Sequence, residues 1–365
     1  MICFFLMSSE SYDDLGKCSI LLEDVEELYL NSFCKGFRIK DYNVYPLFLN
    51  YQLLGSLHKE MISVEGNGFT RINLRQDRLL DIPVFIPPLY EQQQIVSFLD
   101  TKTSLIDSLI EKTQRKIELL KEKRTSIINE VVTKGLNPNV EMKDSGVEWI
   151  GEIPIGWELR QLKHIIKNLN SGTSVNSEDT PVTSSEEFGV LKTSCVFGDT
   201  FRPEENKKVV VEEYDRLKCP VVEKSIIISR MNTPDLVGSN GYIDKSFDNL
   251  FLPDRLWITE FFDNIKLSVK WLSFVTISKK FRSELSSRST GTSPSMKNIT
   301  KDDLLTIKIP HPSFTEQNEI VSYLDEQTKL IDKTISIEEK RIELLKEYRQ
   351  SLISDLVTGK RKVIE

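Results

Sequence analysis

Three histidines and five cysteines are the side chains best suited to catalysis or metal binding, and their spacing points away from both. His58, His164 and His311 lie far apart without ligand spacing or a nucleophile motif, and each reads as a surface or packing residue. Cys3, Cys18, Cys34, Cys195 and Cys219 are scattered, odd in number and never spaced as Cys-x-x-Cys. Reduced thiols are therefore expected, not a disulfide framework or a zinc site. No Gly-rich phosphate loop occurs. The expectation is a chain with no catalytic residue, no metal site and no cofactor of its own.

The chain has 365 residues, 39% hydrophobic and 28% charged, enough for two or three domains with substantial cores. No apolar run approaches the roughly 20 residues of a membrane span. The opening Ile2-Cys-Phe-Phe-Leu-Met7 is too short for a signal peptide and lacks its basic flank, so a cytoplasmic protein is expected. A net charge of −7 and a pI near 5.4 argue against non-specific, whole-surface binding to nucleic acid, although a partner protein can supply positive charge.

The elements that must position any functional residue come from a duplication. The stretch from Leu79 to Thr133 recurs without a gap from Leu304 to Thr358, at the constant offset of 225 that separates Glu91 from Glu316. Both copies carry Glu-Gln (91–92, 316–317), Ile-Val-Ser (95–97, 320–322), Ile-Asp (106–107, 331–332) and Ile-Glu-Leu-Leu-Lys-Glu (117–122, 342–347). About half the positions are identical, the mark of an internal repeat.

In the first copy Ile95, Leu99, Ile106, Ile110, Ile117, Leu120, Ile127 and Val131 fall on steps of three, four and seven. Ile320, Leu324, Ile331, Ile335, Ile342, Leu345, Leu352 and Leu356 repeat the pattern. This spacing predicts two long helices with coiled-coil seams, each the obvious partner of the other, and antiparallel if the insert folds back to its own start. A Ser313-x-x-Glu316 capping box, Pro87-Pro88, and Gly135 and Gly359 mark the expected helix ends.

Ahead of the first helix, Cys18 to Leu22 and Phe37 to Ile39 read as strands, and Tyr45 to His58 has helical spacing. Asp14-Leu-Gly16 resembles Asp235-Leu-Val-Gly238, Leu28-Tyr-Leu30 resembles Leu250-Phe-Leu252, and Asn73 matches Asn298. The duplication therefore includes the domains, and about 70 residues at the front of the second have no counterpart in the first. The expected order is an incomplete first domain (1–86), the first helix (87–135), a linker (136–152), a second domain (153–309), the second helix (310–359) and a tail (360–365). Within the second domain, Lys208 to Glu212 and Ser225 to Ser229 read as strands and Lys270 to Leu285 as helix.

Two domains alternating with two similar helices, each opened by Pro-x-x-x-Glu-Gln, resemble the specificity subunit of type I restriction-modification enzymes. The most specific signals are residues 86–92, residues 309–317 and Trp149-Ile-Gly-Glu-Ile-Pro-Ile-Gly-Trp157. The resemblance implies an α+β chain. Two mixed α/β target recognition domains, the first incomplete, would be joined by antiparallel helices forming a coiled coil. It implies a non-catalytic subunit in which each domain reads half of a split target in double-stranded DNA. The helices would set the spacing and dock two modification (methyltransferase) subunits. S-adenosylmethionine, ATP and Mg would belong to those subunits and to the restriction (translocase and nuclease) subunits.

For DNA reading, Arg, Lys, Asn, Ser and Thr on loops matter, because they contact phosphates or base edges. The candidates are Ser174, Asn176, Lys192, Thr193, Ser194, Arg230, Asn232, Arg255, Arg288, Thr290 and Lys297. Each also has a structural alternative: Arg230 or Arg255 can pair with Asp235 or Asp254 inside the domain, and Ser/Thr/Gly runs are often mobile loops. On the first helix Lys112, Arg115, Lys116, Lys121, Lys123 and Arg124 can face a partner or DNA, and a solvated helix face is the expectation for most of them. Two other classes stay open, a coiled-coil scaffold that binds protein and an inactive, truncated specificity subunit.

Overall fold

In the computed structural model, which describes residues 2–23, 25–293 and 296–363, the chain divides into two units. Unit 1 comprises residues 1–119 and 334–365, and unit 2 comprises residues 120–333.

In unit 1, β1 (Ile2–Leu6) leads into a short β2 (Ser8–Ser9), and β3 (Cys18–Leu21) and β4 (Cys34–Arg38) flank β1, both antiparallel to it. Alternation along β1 sends Cys3 and Phe5 into a core shared with Leu15, Ile62 and Ile72. Helix α1 (Pro46–Leu54) begins with proline, whose missing N–H costs nothing in a first turn. The helix expected from Tyr45 to His58 is interrupted at Gly55, whose extended backbone separates α1 from α2 (Ser56–Val64). β5 (Ile72–Asn73) pairs with β2, and α3 (Gln76–Leu80) precedes α4 (Leu89–Lys134).

Unit 2 begins with the end of α4. β6 (Met142–Asp144), inside the stretch read as a linker, and β7 (Glu152–Pro154), at the start of the expected second domain, form an antiparallel ribbon. Left-handed Gly146 and Gly151 allow its connection to turn. The strands that follow are β8 (Glu158–Gln161), β9 (Ile166–Ser171), β10 (Gly189–Leu191), β11 (Asn206–Lys208) and β12 (Pro220–Val221). After them come β13 (Ser225–Ser229), β14 (Met231–Asn232), β15 (Asn240–Ile243), β16 (Phe247–Phe251) and β17 (Leu256–Phe261). Two four-stranded sheets result, β15-β13-β17-β9 and β11-β10-β16-β12. All five residues of β13 are buried, which explains its unbroken apolar run.

Three local expectations need correction. The strand read over Lys208 to Glu212 stops at Lys208, because the N–H groups of Val209 and Val210 turn to Phe188 and Asn176 and a 3₁₀ turn follows at Val211–Arg216. The helix read over Lys270 to Leu285 is two helices, α5 (Val269–Ile277) and α6 (Lys279–Arg288), divided by extended Ser278 acting as cap. β18 (Thr290–Ser293) and β19 (Met296–Asn298) then join β14 in a small sheet, with Pro294 and Ser295 of the Ser287 to Lys297 run outside the described residues. After α7 (Lys301–Leu305), residues 308–311 form β20 (Lys308–His311), held by pairing with β8. The second long helix, α8 (Phe314–Val357), therefore starts later than residue 310.

The helices are antiparallel in both units. In unit 1 Asp107 meets Arg349 at 2.9 Å and Lys116 meets Glu338 at 2.5 Å. In unit 2 Arg124 meets Asp332 at 3.0 Å. Positions ascending α4 thus face positions descending α8; exposed Lys116 and half-buried Arg124 each reach a carboxylate on the partner helix. Along the seam Ile95, Leu99, Ile106, Ile117, Ile320, Leu324, Ile331 and Ile335 are buried, while Ile110, Leu120, Ile342 and Leu345 are half-buried. Thr113 and Thr328 also occupy buried steps, and each satisfies its hydroxyl on the carbonyl four residues earlier. Among the described residues, no helix is long and apolar enough to cross a membrane.

Candidate nucleic-acid interface

In unit 2 the sheet topology gathers most of the candidate residues at one end. The N–H of Arg230, just past β13, donates to the carbonyl of Arg255, just before β17, at 3.1 Å. Arg230's own carbonyl accepts from Ile299, so the small sheet continues from the same place. There Asn232 on β14 faces Lys297 on β19, and Thr290 on β18 faces Asn298. Ser171 pairs with Trp257, so the loop bearing Ser174 and Asn176 leaves β9 where Arg255 leads into β17. β10 and β16 are parallel, with Val190 opposite Phe251, so Lys192, Thr193 and Ser194 emerge at the sheet end that leads to Arg255.

Several of these side chains are engaged within the unit. Asn176 donates to Glu213 at 2.9 Å, Ser194 donates to Glu205 at 2.6 Å, and Arg288 reaches Glu284 at 2.6 Å and the Thr306 hydroxyl at 3.1 Å. The Ser174 carbonyl accepts from Arg216, and Thr193 begins a 3₁₀ turn. Lys192, Arg230, Arg255 and Lys297 make no ion pair among the described residues. Arg230 buries its Nε–H without a hydrogen-bond partner there, and Arg255 is exposed. Neither arginine pairs with Asp235 or Asp254; the Asp235 carbonyl instead accepts from Arg282.

Arg282 escaped sequence reasoning because a lone arginine on a polar helix carries no signal. Its guanidinium contacts Asp199 at 3.3 Å, the carbonyls of Asp235 and Val237, and the Ser239 hydroxyl, tying α6 to the loop between β14 and β15. Burial lowers its pKa, and burial also raises that of Asp199.

Gln92 and Gln317 were legible only as repeated letters, yet both are fully buried clamps. Gln92 donates to the carbonyls of Asn43 and Pro87 and accepts from the N–H of Tyr45, the N-cap of α1. Gln317 donates to the carbonyl of Pro312 and accepts from the N–H of Ser268, the N-cap of α5. The adjacent glutamates differ. Glu316 makes half of the expected capping box: its N–H reaches the Ser313 hydroxyl at 3.3 Å, but its carboxylate turns to the indole N–H of Trp157 at 2.9 Å. Burial raises its pKa, and the indole lowers it.

Among the described residues, no cluster of three or more His, Cys, Asp or Glu could hold a metal ion. The five thiols are free, and burial lowers the pKa of His58 and His311.

Residues 10–119 and 154–347 match the type I restriction modification DNA specificity domain, and the chain belongs to that family. It is therefore of the specificity-subunit class, which recognises DNA and is not catalytic. The type I restriction enzyme MjaVIII specificity subunit of Methanocaldococcus jannaschii is 29% identical over 323 residues, 87% of this chain and 70% of that protein. A putative MjaX specificity subunit from the same organism is 27% identical over 376 residues, covering 99% and 78%. Two solved structures share the fold. One, from work on complex assembly and conformational transition of the type I R-M system, has TM-score 0.73 and 17% identity over 97% of this chain and 81% of that one. The other, the HsdS subunit from Thermoanaerobacter tengcongensis, has TM-score 0.52 and 18% identity over 98% and 81%.

Proposed function

We propose that this chain recognises one half of a bipartite DNA target through unit 2 and directs methyltransferase and restriction subunits to it. The observation that carries this reading is the convergence of Arg230, Arg255 and Lys297, three cations without a carboxylate partner among the described residues, with Lys192 emerging at the sheet end that leads to Arg255. Cations free of internal partners can neutralise phosphates, and arginine and asparagine read base edges bidentately. The remaining surface is acidic overall, consistent with a local interface rather than general affinity for nucleic acid.

In this reading two modification subunits dock on the chain and bind S-adenosylmethionine. Restriction subunits add ATP- and Mg-dependent cleavage, and the chain supplies no catalytic group. The site of action is the cytoplasm, where host DNA lies. The test is co-expression with modification subunits, followed by mapping of methylated bases. A split, asymmetric motif supports a bipartite target. A single defined half, or a palindrome, assigns reading to unit 2 alone. A stable complex without methylation favours an inactive subunit or a scaffold.

A further inference from the structure

The sheet β15-β13-β17-β9 of unit 2 lies between two cores. Ile226 and Ile228 of β13 enter one, with Phe281 and Leu285 of α6, and Ile227 enters the other, with Cys195 and Val196. The candidate DNA residues divide in the same way. Lys192, Thr193 and Ser194 open the turn that buries Cys195 and Val196, whereas Asn232 leads into the segment 233–239, whose Val237 packs in the first core. One tie between the two groups passes around β15, the outermost strand of its sheet among the described residues.

Gly198 (φ 75°) and Asp199 (φ 59°) are both left-handed and turn the chain out of the second core. Aspartate is among the few residues besides glycine that adopt this conformation readily. The chain then crosses β15 at Gly241, where a Cβ would stand 2.7 Å from the Phe201 nitrogen, so the close approach needs glycine. The crossing brings the Asp199 carboxylate to 3.3 Å from Arg282 of α6. The same guanidinium donates to the carbonyls of Asp235 and Val237, each at 3.2 Å, and to the Ser239 hydroxyl at 3.1 Å. A planar guanidinium holds several N–H groups in fixed directions, which an ammonium on a flexible stem does not. A cavity of about 320 Å³ borders Asp199, Asp235, Ser239 and Arg282, so both segments have room to move once the tie is cut.

We infer that Arg282, with Asp199 as its acceptor, is a positioning residue for DNA recognition: from α6 it holds the 192–199 turn and the 233–239 segment in one register. It acts through the backbone that carries Lys192, Thr193, Ser194 and Asn232. A relative shift of about 1 Å would carry a base contact out of the donor–acceptor range of about 2.7–3.2 Å. The consequence for DNA rests on the reading of unit 2 proposed above; the tie itself does not.

The test uses the full-length chain, alone and assembled with modification subunits. Arg282→Lys keeps the charge and loses the fork, and Asp199→Asn keeps the left-handed turn and loses the charge. In hydrogen exchange of the chain, Arg282→Lys should speed residues 192–199 and 233–239 at least tenfold and leave 226–228 and 256–258 unchanged. Asp199→Asn should speed 192–199 alone, since the carbonyl contacts of Arg282 remain. In the assembled methyltransferase, Arg282→Lys should lower at least tenfold the ratio of methylation at the cognate site to that at sites mismatched in the half read by unit 2. Discrimination at the remaining bases of the target should not change. Unchanged exchange in both segments overturns the inference, as does exchange that rises equally at 226–228, which would make Arg282 a support of the whole fold. Faster segments with unaltered discrimination also overturn it. A wild-type complex without sequence preference instead fails the DNA reading, and the exchange result still decides whether the tie exists.

Discussion

A buried glutamine at each long helix's first turn ties that helix to the element before it. Gln92 makes three hydrogen bonds and Gln317 two, all to backbone groups. Truncating either leaves those groups unpaired in a dry site, which costs about 1–3 kcal/mol per unsatisfied group. Gln317→Ala should therefore destabilise unit 2 by about 2–3 kcal/mol in denaturant melts, and Gln92→Ala should do the same to unit 1. Glutamate should not rescue either position, because an ionised carboxylate cannot donate to a carbonyl. A second prediction concerns pH. His58 Nε2 donates to the Pro83 carbonyl at 3.0 Å, and its Nδ1 is buried without a partner, so the imidazole folds neutral. Its folded pKa lies below the ordinary value near 6.5, chiefly through burial, and that of His311 shifts the same way. The unfolded chain takes up the protons first, so this stability is present above about pH 6.5 and is lost as pH falls through that value. Melting temperature from pH 8 to 5.5 should be flat and then decline. His58→Gln should lower the plateau and flatten the decline.

The helix pair is held by apolar seam residues, and its register is reported by three ion pairs. Leu99 and Leu324 are fully buried, so alanine at either should cost about 3 kcal/mol through lost burial and the remaining cavity, read by chemical denaturation. The Asp107–Arg349 pair is half-exposed and contributes less than about 1 kcal/mol. Asp107→Arg should still lower the melting temperature by placing like charges together, and Arg349→Asp added to it should restore the loss. Failure of the swap would break the antiparallel register.

For the whole molecule, DNA affinity should respond to two kinds of change. Arg255→Ala or Lys297→Ala in the assembled methyltransferase should weaken binding about tenfold, with a smaller salt dependence if the contact is to phosphate and relaxed specificity if it is to a base. Seven residues added to each helix, in register, preserve the seam and lengthen it by about 10 Å, roughly three base pairs. The tolerated spacer between half-sites should grow accordingly, as read by methylation mapping. An unchanged spacer would show that the helices do not set it.

The sequence by itself determined the duplication, the two helices and their seams, because a 225-residue repeat and a heptad period are properties of residue order. It also showed which domain features recur, since Asp14, Leu28 and Asn73 have counterparts at readable positions. It did not show that Glu316 turns from its cap to Trp157, that Gln92 and Gln317 are clamps, or that Thr113 and Glu338 belong to the seam. Those roles depend on partners tens or hundreds of residues away. The candidate DNA residues were legible by type alone; parallel pairing of β10 with β16, and antiparallel pairing of β14 with β19, decided which share a sheet end. Arg288 and Asn176 had the same chemical promise as Arg255, but a neighbouring carboxylate occupies each of them. Local order sets period and propensity, whereas burial and hydrogen-bond partners exist only once distant strands have met.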